Sequence, residues 1–146
     1  MIQAARRLEH LLKEMGSRLS RISEERSTHR PAPGKWSKKE ELGHLIDSAA
    51  NNHQRFVRMQ IENNLPLLQY KQQEWVSIQR YHSMAWTEIV RFWQLYNTHL
   101  LHIMKYLDES KLENIGTFPE YGKQTLQFIL DDYVDHLEHH LKSILA

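Results

Sequence analysis

An all-α four-helix bundle is the fold class the sequence predicts, and three observations carry the prediction. Four stretches of roughly 20 residues or more place apolar side chains every three or four positions. The five Gly and four Pro in 146 residues fall mostly where those stretches end. No segment reads as a convincing strand.

The first helix presents Leu8, Leu11, Leu12, Met15, Leu19 and Ile22 on one face. It stops before Arg30-Pro31-Ala32-Pro33-Gly34, where two prolines and a glycine make continued helix costly. Ser37, with Glu40 three residues on, forms a capping-box pattern that opens the second helix. That helix runs through Leu42, Leu45, Ile46, Ala49, Phe56 and Met59 to Asn63-Asn64-Leu65-Pro66. From Leu67 to His82 the chain is polar, with Tyr70, Trp75, Val76 and Ile78 interspersed, and reads as a loop containing a short helix. The connection between helices two and three is therefore long, and a simple up-down-up-down order does not follow.

Ser83 reads as the cap of the third helix, which carries Ile89, Trp93, Tyr96, Leu100, Ile103, Met104 and Leu107. A connector from Asp108 to Gln124 follows, with Gly116, Pro119 and Gly122. Thr125 caps a last helix bearing Leu126, Ile129, Leu130, Tyr133, Val134, Leu137, Leu141 and Ile144. With no internal repeat or low-complexity tract, residues 1–146 are expected to form one domain.

Charge narrows the function. Nineteen Lys and Arg against 18 Asp and Glu give a net charge of +1, which argues against general nucleic-acid binding. Arg6, Arg7, Lys13, Arg18 and Arg21 of the first helix interleave with Glu9, Glu14, Glu24 and Glu25, the pattern of a solvated face. The N-terminal stretch is amphipathic rather than a signal peptide, and no apolar run approaches the roughly 18 residues of a membrane span. A cytoplasmic protein without nucleic-acid or membrane partners is expected.

There is no Cys, which excludes disulfides, thiolate ligands and a cysteine nucleophile. There are ten His, and imidazole is the commonest protein metal ligand. His136 and His140, one turn apart in the last helix, lie about 40° apart around the axis and about 6 Å along it. Two imidazoles so placed can share an ion, as in HExxH sites, although Leu137 stands where that motif has Glu. A composition this rich in His also produces such pairs by chance, so spacing alone leaves both readings open. His44, in an apolar patch beside Gly43, is the best third candidate, with a hydrogen-bonded core histidine as the plainer reading. His10, His29, His53, His82, His99, His102 and His139 read as solvated or polar-face residues.

Four motifs then carry a resemblance. Pro33-Gly34-Lys35-Trp36-Ser37 followed by Gly43-His44-Leu45-Ile46-Asp47-Ser48 resembles a P-x-x-W-S/T…H-L-x-D-S signature. Tyr70 to Trp75 looks like a Tyr-plus-Trp stretch between helices two and three. Phe118-Pro119-Glu120-Tyr121-Gly122 before Thr125-Leu126 resembles an H-P-E-x-G…T-L connector, with Phe118 in place of His. His136-Leu137-Glu138-His139-His140-Leu141 is similar to a closing H-x-x-H-H-L. Together, from about Pro31 to Ile144, they resemble the DinB-like superfamily, in particular its YfiT-like branch.

That resemblance implies a four-helix bundle with a long second connection and a metal held by His44, His136 and His140. Three neutral imidazoles with an open position suit a catalytic zinc site, and nickel accepts the same set. The family includes transferases and isomerases that use bacillithiol or mycothiol, so the first expectation is S-transfer through the thiolate of a small thiol cofactor. The absence of Cys requires that thiol to arrive as co-substrate. The alternatives are a metal-dependent hydrolase using metal-activated water and a non-catalytic metal-binding module.

Asp47 and Asn51, at i+3 and i+7 from His44, are catalytic candidates, with interhelical hydrogen bonding as the plainer reading. Asp132, one turn before His136, is a candidate acceptor for a ligand N–H. Trp36, Tyr70 and Trp75 are candidates for the wall of a cofactor pocket. A small-molecule substrate is expected, and a homodimer is an expectation of the family resemblance.

Overall fold

The computed structural model describes residues 1–146. Six helices follow one another: α1 (Gln3–Ser20), α2 (Glu24–Thr28), α3 (Lys38–Ile61), α4 (Gln72–Gln79), α5 (Trp86–Lys105) and α6 (Leu126–Leu145). The four long ones form the bundle. The apolar faces read from the sequence are its core, from Leu8 and Leu19 through Leu42 and Phe56 to Trp93 and Leu141, all fully buried.

The helices start where side chains satisfy their free N–H groups. Ser37 Oγ accepts from Glu40 N–H while Glu40 Oε1 accepts from Ser37 N–H at 3.0 Å, the reciprocal box expected at α3. Thr125 Oγ1 accepts from Phe128 N–H at 3.0 Å and opens α6 as expected. Ser83 does not cap α5. It lies in a 3₁₀ turn, Tyr81–Ser83, and the capping position is Ala85, which offers no side-chain acceptor. A distant residue substitutes: Glu24 Oε1 accepts the Trp86 N–H at 2.8 Å.

Two further expectations are corrected. The first helix is not continuous to the Pro31 linker. It ends at Ser20, and Ser23 accepts from Arg26 N–H at 3.1 Å to start the short α2. Ile22, in the break, remains buried at 6% exposure, so the apolar spacing was sound while the helix was not.

The reading of no strands also fails. β1 (Leu65–Pro66) pairs in parallel with β2 (Ile115–Phe118), which pairs antiparallel with β3 (Gly122–Thr125). Gly122 takes a φ of +78° and closes the hairpin in the left-handed region. Asn63 Oδ1 accepts the Ile115 N–H at 2.7 Å, tying this small sheet to the end of α3.

Packing follows an unusual order. α1 packs on α5 and α6, and α3 packs on the same two helices, so α1 and α3 stand diagonally across the bundle. The long connection from α3 to α5 is confirmed, with α4 inside it. No helix is long and apolar enough to cross a membrane.

Candidate metal centre

The site forms where the start of α3 meets the end of α6. Lys38 Nζ donates to the Ile144 carbonyl, and Ser143 Oγ donates to Glu41 Oε1 at 3.2 Å, pinning the two helix ends together. Within that clamp His44 of α3 faces His136 and His140 of α6. Their ring centroids lie 4.9 Å (His44–His136), 4.9 Å (His44–His140) and 4.6 Å (His136–His140) apart. One ring nitrogen from each lies within 4.8 Å of the others.

These residues fit a metal ion. His44 Nε2 and His136 Nε2 face each other at 3.1 Å. A tetrahedral cation with N bonds of about 2.0–2.1 Å sets neighbouring nitrogens about 3.3 Å apart, close to that spacing. Burial, then the neighbouring His136 and His140, lowers the His44 pKa to about 3. Burial, then His140 and His139, lowers that of His136 to about 4. Both rings are therefore uncharged near neutrality, the form that ligates metal. His44 Nδ1 is buried with no protein partner, so the Nε2 edge is where that ring is engaged.

Glu41 completes the arrangement. Its Oε2 lies 2.9 Å from His140 Nδ1, which leaves His140 Nε2 for the cluster. Metal-ligating histidines usually pass their second ring N–H to a carboxylate in this way. The expectation placed that role on Asp132, which makes no hydrogen bond to a histidine and instead lines the adjoining cavity.

Asp47 and Asn51 are engaged elsewhere. Asp47 is buried, and its Oδ1 accepts from Tyr81 Oη and from Gln79 Nε2, each at 2.7 Å. Burial pushes its pKa up, and those two hydrogen bonds oppose the shift. Asn51 Nδ2 donates to the Asp47 carbonyl at 2.9 Å. Asp47 thus ties α3 to the segment around α4, while the Asn51 bond stays within α3. Gly43 belongs to the same contact: an added Cβ would sit 2.3 Å from the Tyr81 ring, so the ring packs directly on the helix backbone beside His44.

Trp36 stacks obliquely on His44 at 5.0 Å and walls the cluster on that side. Tyr70 lines the cavity next to His136. Trp75 contacts Tyr70 edge-on at 5.3 Å but faces a shallower outer groove with Leu68 and Ile78. Other histidines have local partners: His82 Nδ1 is 3.1 Å from Ser37 Oγ, and His53 Nδ1 is 2.9 Å from Tyr96 Oη.

The cavity, about 470 Å³, runs between α3 and α6 with His136 on its wall. It fits a small molecule. Arg55 and Asp132 are the charged residues lining it, and sequence reasoning overlooked Arg55. The signal was present, since Arg55 follows His44 by eleven positions, close to three helical turns, on the face that also carries Ser48 and Asn52.

A family model described as the DinB superfamily matches residues 3–144. The chain belongs to the DinB superfamily. Among solved structures, this DinB-superfamily chain superposes on YfiT from Bacillus subtilis with a TM-score of 0.85 at 18% identity, over 97% of this chain and 82% of that one. YfiT is described provisionally as a metal-dependent hydrolase with an unusual four-helix bundle topology, and the likeness establishes the shared fold. A Bacillus mycoides (strain KBAB4) protein, provisionally named a metal-dependent hydrolase, is 24% identical over 113 residues, 77% of this chain. The chain spans 65% of that relative's length.

Proposed function

We propose that this DinB-superfamily chain is a metal-dependent hydrolase of small molecules, with His44, His136 and His140 as ligands of one zinc or nickel ion. One observation carries the proposal: three imidazoles converge beside a substrate-sized cavity, the donor set of a catalytic site with an open position. When bound, the cation would supply Lewis-acid activation of water and of the scissile group.

The chain's own residues do the rest. Glu41 fixes the His140 ring, and Trp36 shields His44 from solvent. Asp132, on the cavity wall one turn before His136, is the proton acceptor. Burial, then the like charge of Asp135, raises its pKa against the pull of Arg55, moving it toward the range useful for a general base. The provisional names of the two relatives favour hydrolysis.

S-transfer is the second reading, and the charge of the donor set favours it. A cluster with no carboxylate or thiolate leaves a cation its full double charge, which suits an incoming thiolate. With no Cys in the chain, that thiol is a co-substrate.

Protein purified without a His tag should carry about one metal ion per chain, and His44→Ala and His136→Ala should each lose it. Unchanged metal content in both variants refutes the ligand set. An ester and amide panel, run with and without a small thiol, separates the reactions. Turnover without thiol supports hydrolysis, and turnover of a chlorinated aromatic only with thiol supports S-transfer. Metal binding with neither reaction leaves a binding module.

A further inference from the structure

Arg55 stands in the cavity with its charge unpaired. Its Nη2 donates to the Leu68 carbonyl at 2.9 Å and its Nη1 to Asn52 Oδ1 at 3.4 Å. The guanidinium also stacks 4.9 Å from the Phe118 ring centroid. None of these partners is anionic. By contrast, Arg7 pairs with Asp135 and Glu138, and Arg30 with Glu40. A guanidinium carries five N–H donors, and two are used here. The side chain is thus held in place by an aromatic face and a carbonyl while most of its donors remain available.

Placing a charge in a partly desolvated cavity without a counter-ion is costly unless something supplies the anion. Asp132, the cavity's one carboxylate, attracts Arg55 across the cavity but makes no direct hydrogen bond to it. Helical geometry sets the distances. Side chains lean toward the helix N-terminus, so Arg55 reaches back to the level of Asn52, roughly 12 Å of helix from His44. On α6, Asp132 lies between Phe128 and His136 along the same cavity. His136, the member of the cluster that lines the cavity, lies toward one end and Arg55 toward the other.

We propose that Arg55 anchors a carboxylate on the substrate, so that the chain acts on small molecules carrying a carboxylate several bonds from the reacting group. Planar guanidinium matches planar carboxylate in a two-pronged hydrogen bond. A carboxylate is favoured over a phosphate because one cation stands opposite the like charge of Asp132, which disfavours a dianion. The proposal rests on the metal reading above for which end of the substrate reacts.

The test uses hydroxamates, which chelate metal through one end. Acetohydroxamate probes the metal alone, adipic monohydroxamate adds a distal carboxylate, and its monoamide removes the charge. Titrated into the zinc-loaded protein, the acid should bind at least tenfold tighter than the amide. Arg55→Gln should abolish that difference and leave acetohydroxamate affinity unchanged, which also reports an intact fold. Arg55→Lys should recover only part of the gain. Equal binding of acid and amide, or a gain that survives Arg55→Gln, overturns the proposal.

A second readout is independent of metal. In metal-free protein, phenylacetate should shift the Arg55 Nε–H resonance, and phenylacetamide should not. If acetohydroxamate fails to bind, the metal reading falls while this titration still decides the role of Arg55. A null phenylacetate titration refutes the anchor, and an equal shift with inorganic phosphate refutes the choice of carboxylate.

Discussion

Gly43→Ala tests the joint between the α4 segment and the histidine cluster. In an ordinary helix interior the change stabilises by about 1 kcal/mol. Here the new Cβ would stand 2.3 Å from Tyr81 Cγ and Cδ2, atoms of a ring that is only 3% exposed. The ring must move, an overpacking cost of about 1–3 kcal/mol. Its hydroxyl would then draw away from Asp47 Oδ1, now 2.7 Å distant, weakening a buried charged hydrogen bond worth about 1.5–3 kcal/mol. The balance is a loss of about 2 kcal/mol, or roughly 6 °C of melting temperature for a chain of this size. Gly16→Ala is the control, because its Cβ would meet only the movable end of the Gln94 side chain, at 2.9 Å. Thermal unfolding should rank Gly43→Ala well below wild type, with Gly16→Ala near it or above. Equal melting temperatures for the two variants would refute the packing argument.

Three other outcomes are expected. Glu41→Gln should weaken metal affinity about 10–100-fold by loosening His140, read by competition with a chromogenic chelator; unchanged affinity would remove Glu41 from the site. Glu24, whose pKa is lowered first by Lys39 and then by the Trp86 N–H, contributes stability present above the ordinary carboxylate range and lost as pH falls through its folded value. Unfolding midpoints of wild type should therefore drop more steeply below about pH 4.5 than those of Glu24→Gln. Tyr133→Phe leaves the fully buried Asn97 Oδ1 without the hydroxyl 2.5 Å away. Denaturant titration should show a loss of about 1–3 kcal/mol.

Most of the fold was legible because it depends on local chemistry. Ser37 with Glu40 and Thr125 mark helix starts by side chains that reach three residues on. The start of α5 was misread at Ser83 because its real partner, Glu24, is 62 positions away. The sheet was missed for a related reason: β1 is two residues long, and β2 and β3 are four each. Strands that short have no room for a period, and their register appears only on pairing. His136 and His140 were visible as one helical turn, and Gly43 as a helix interruption with a packing cause. Glu41 was not, since nothing local joins it to a histidine 99 positions on. Arg55 shares the His44 face, but its place in a cavity emerges only when α6 and Phe118 pack beside it.

The diagonal placement of α1 and α3 has a consequence for how the protein comes into being. A chain emerging from the ribosome can pair α3 with α5, but α1 and α3 have little to bury against each other. His44 waits for a partner 92 positions later. The histidine cluster therefore forms only once α6 has docked on α3. A nascent chain without α6 offers a cation one histidine of the three, so metal selection falls to the finished protein and not to its folding intermediates. A bound ion would add its stabilisation only to the chain with α6 docked, holding that helix in place.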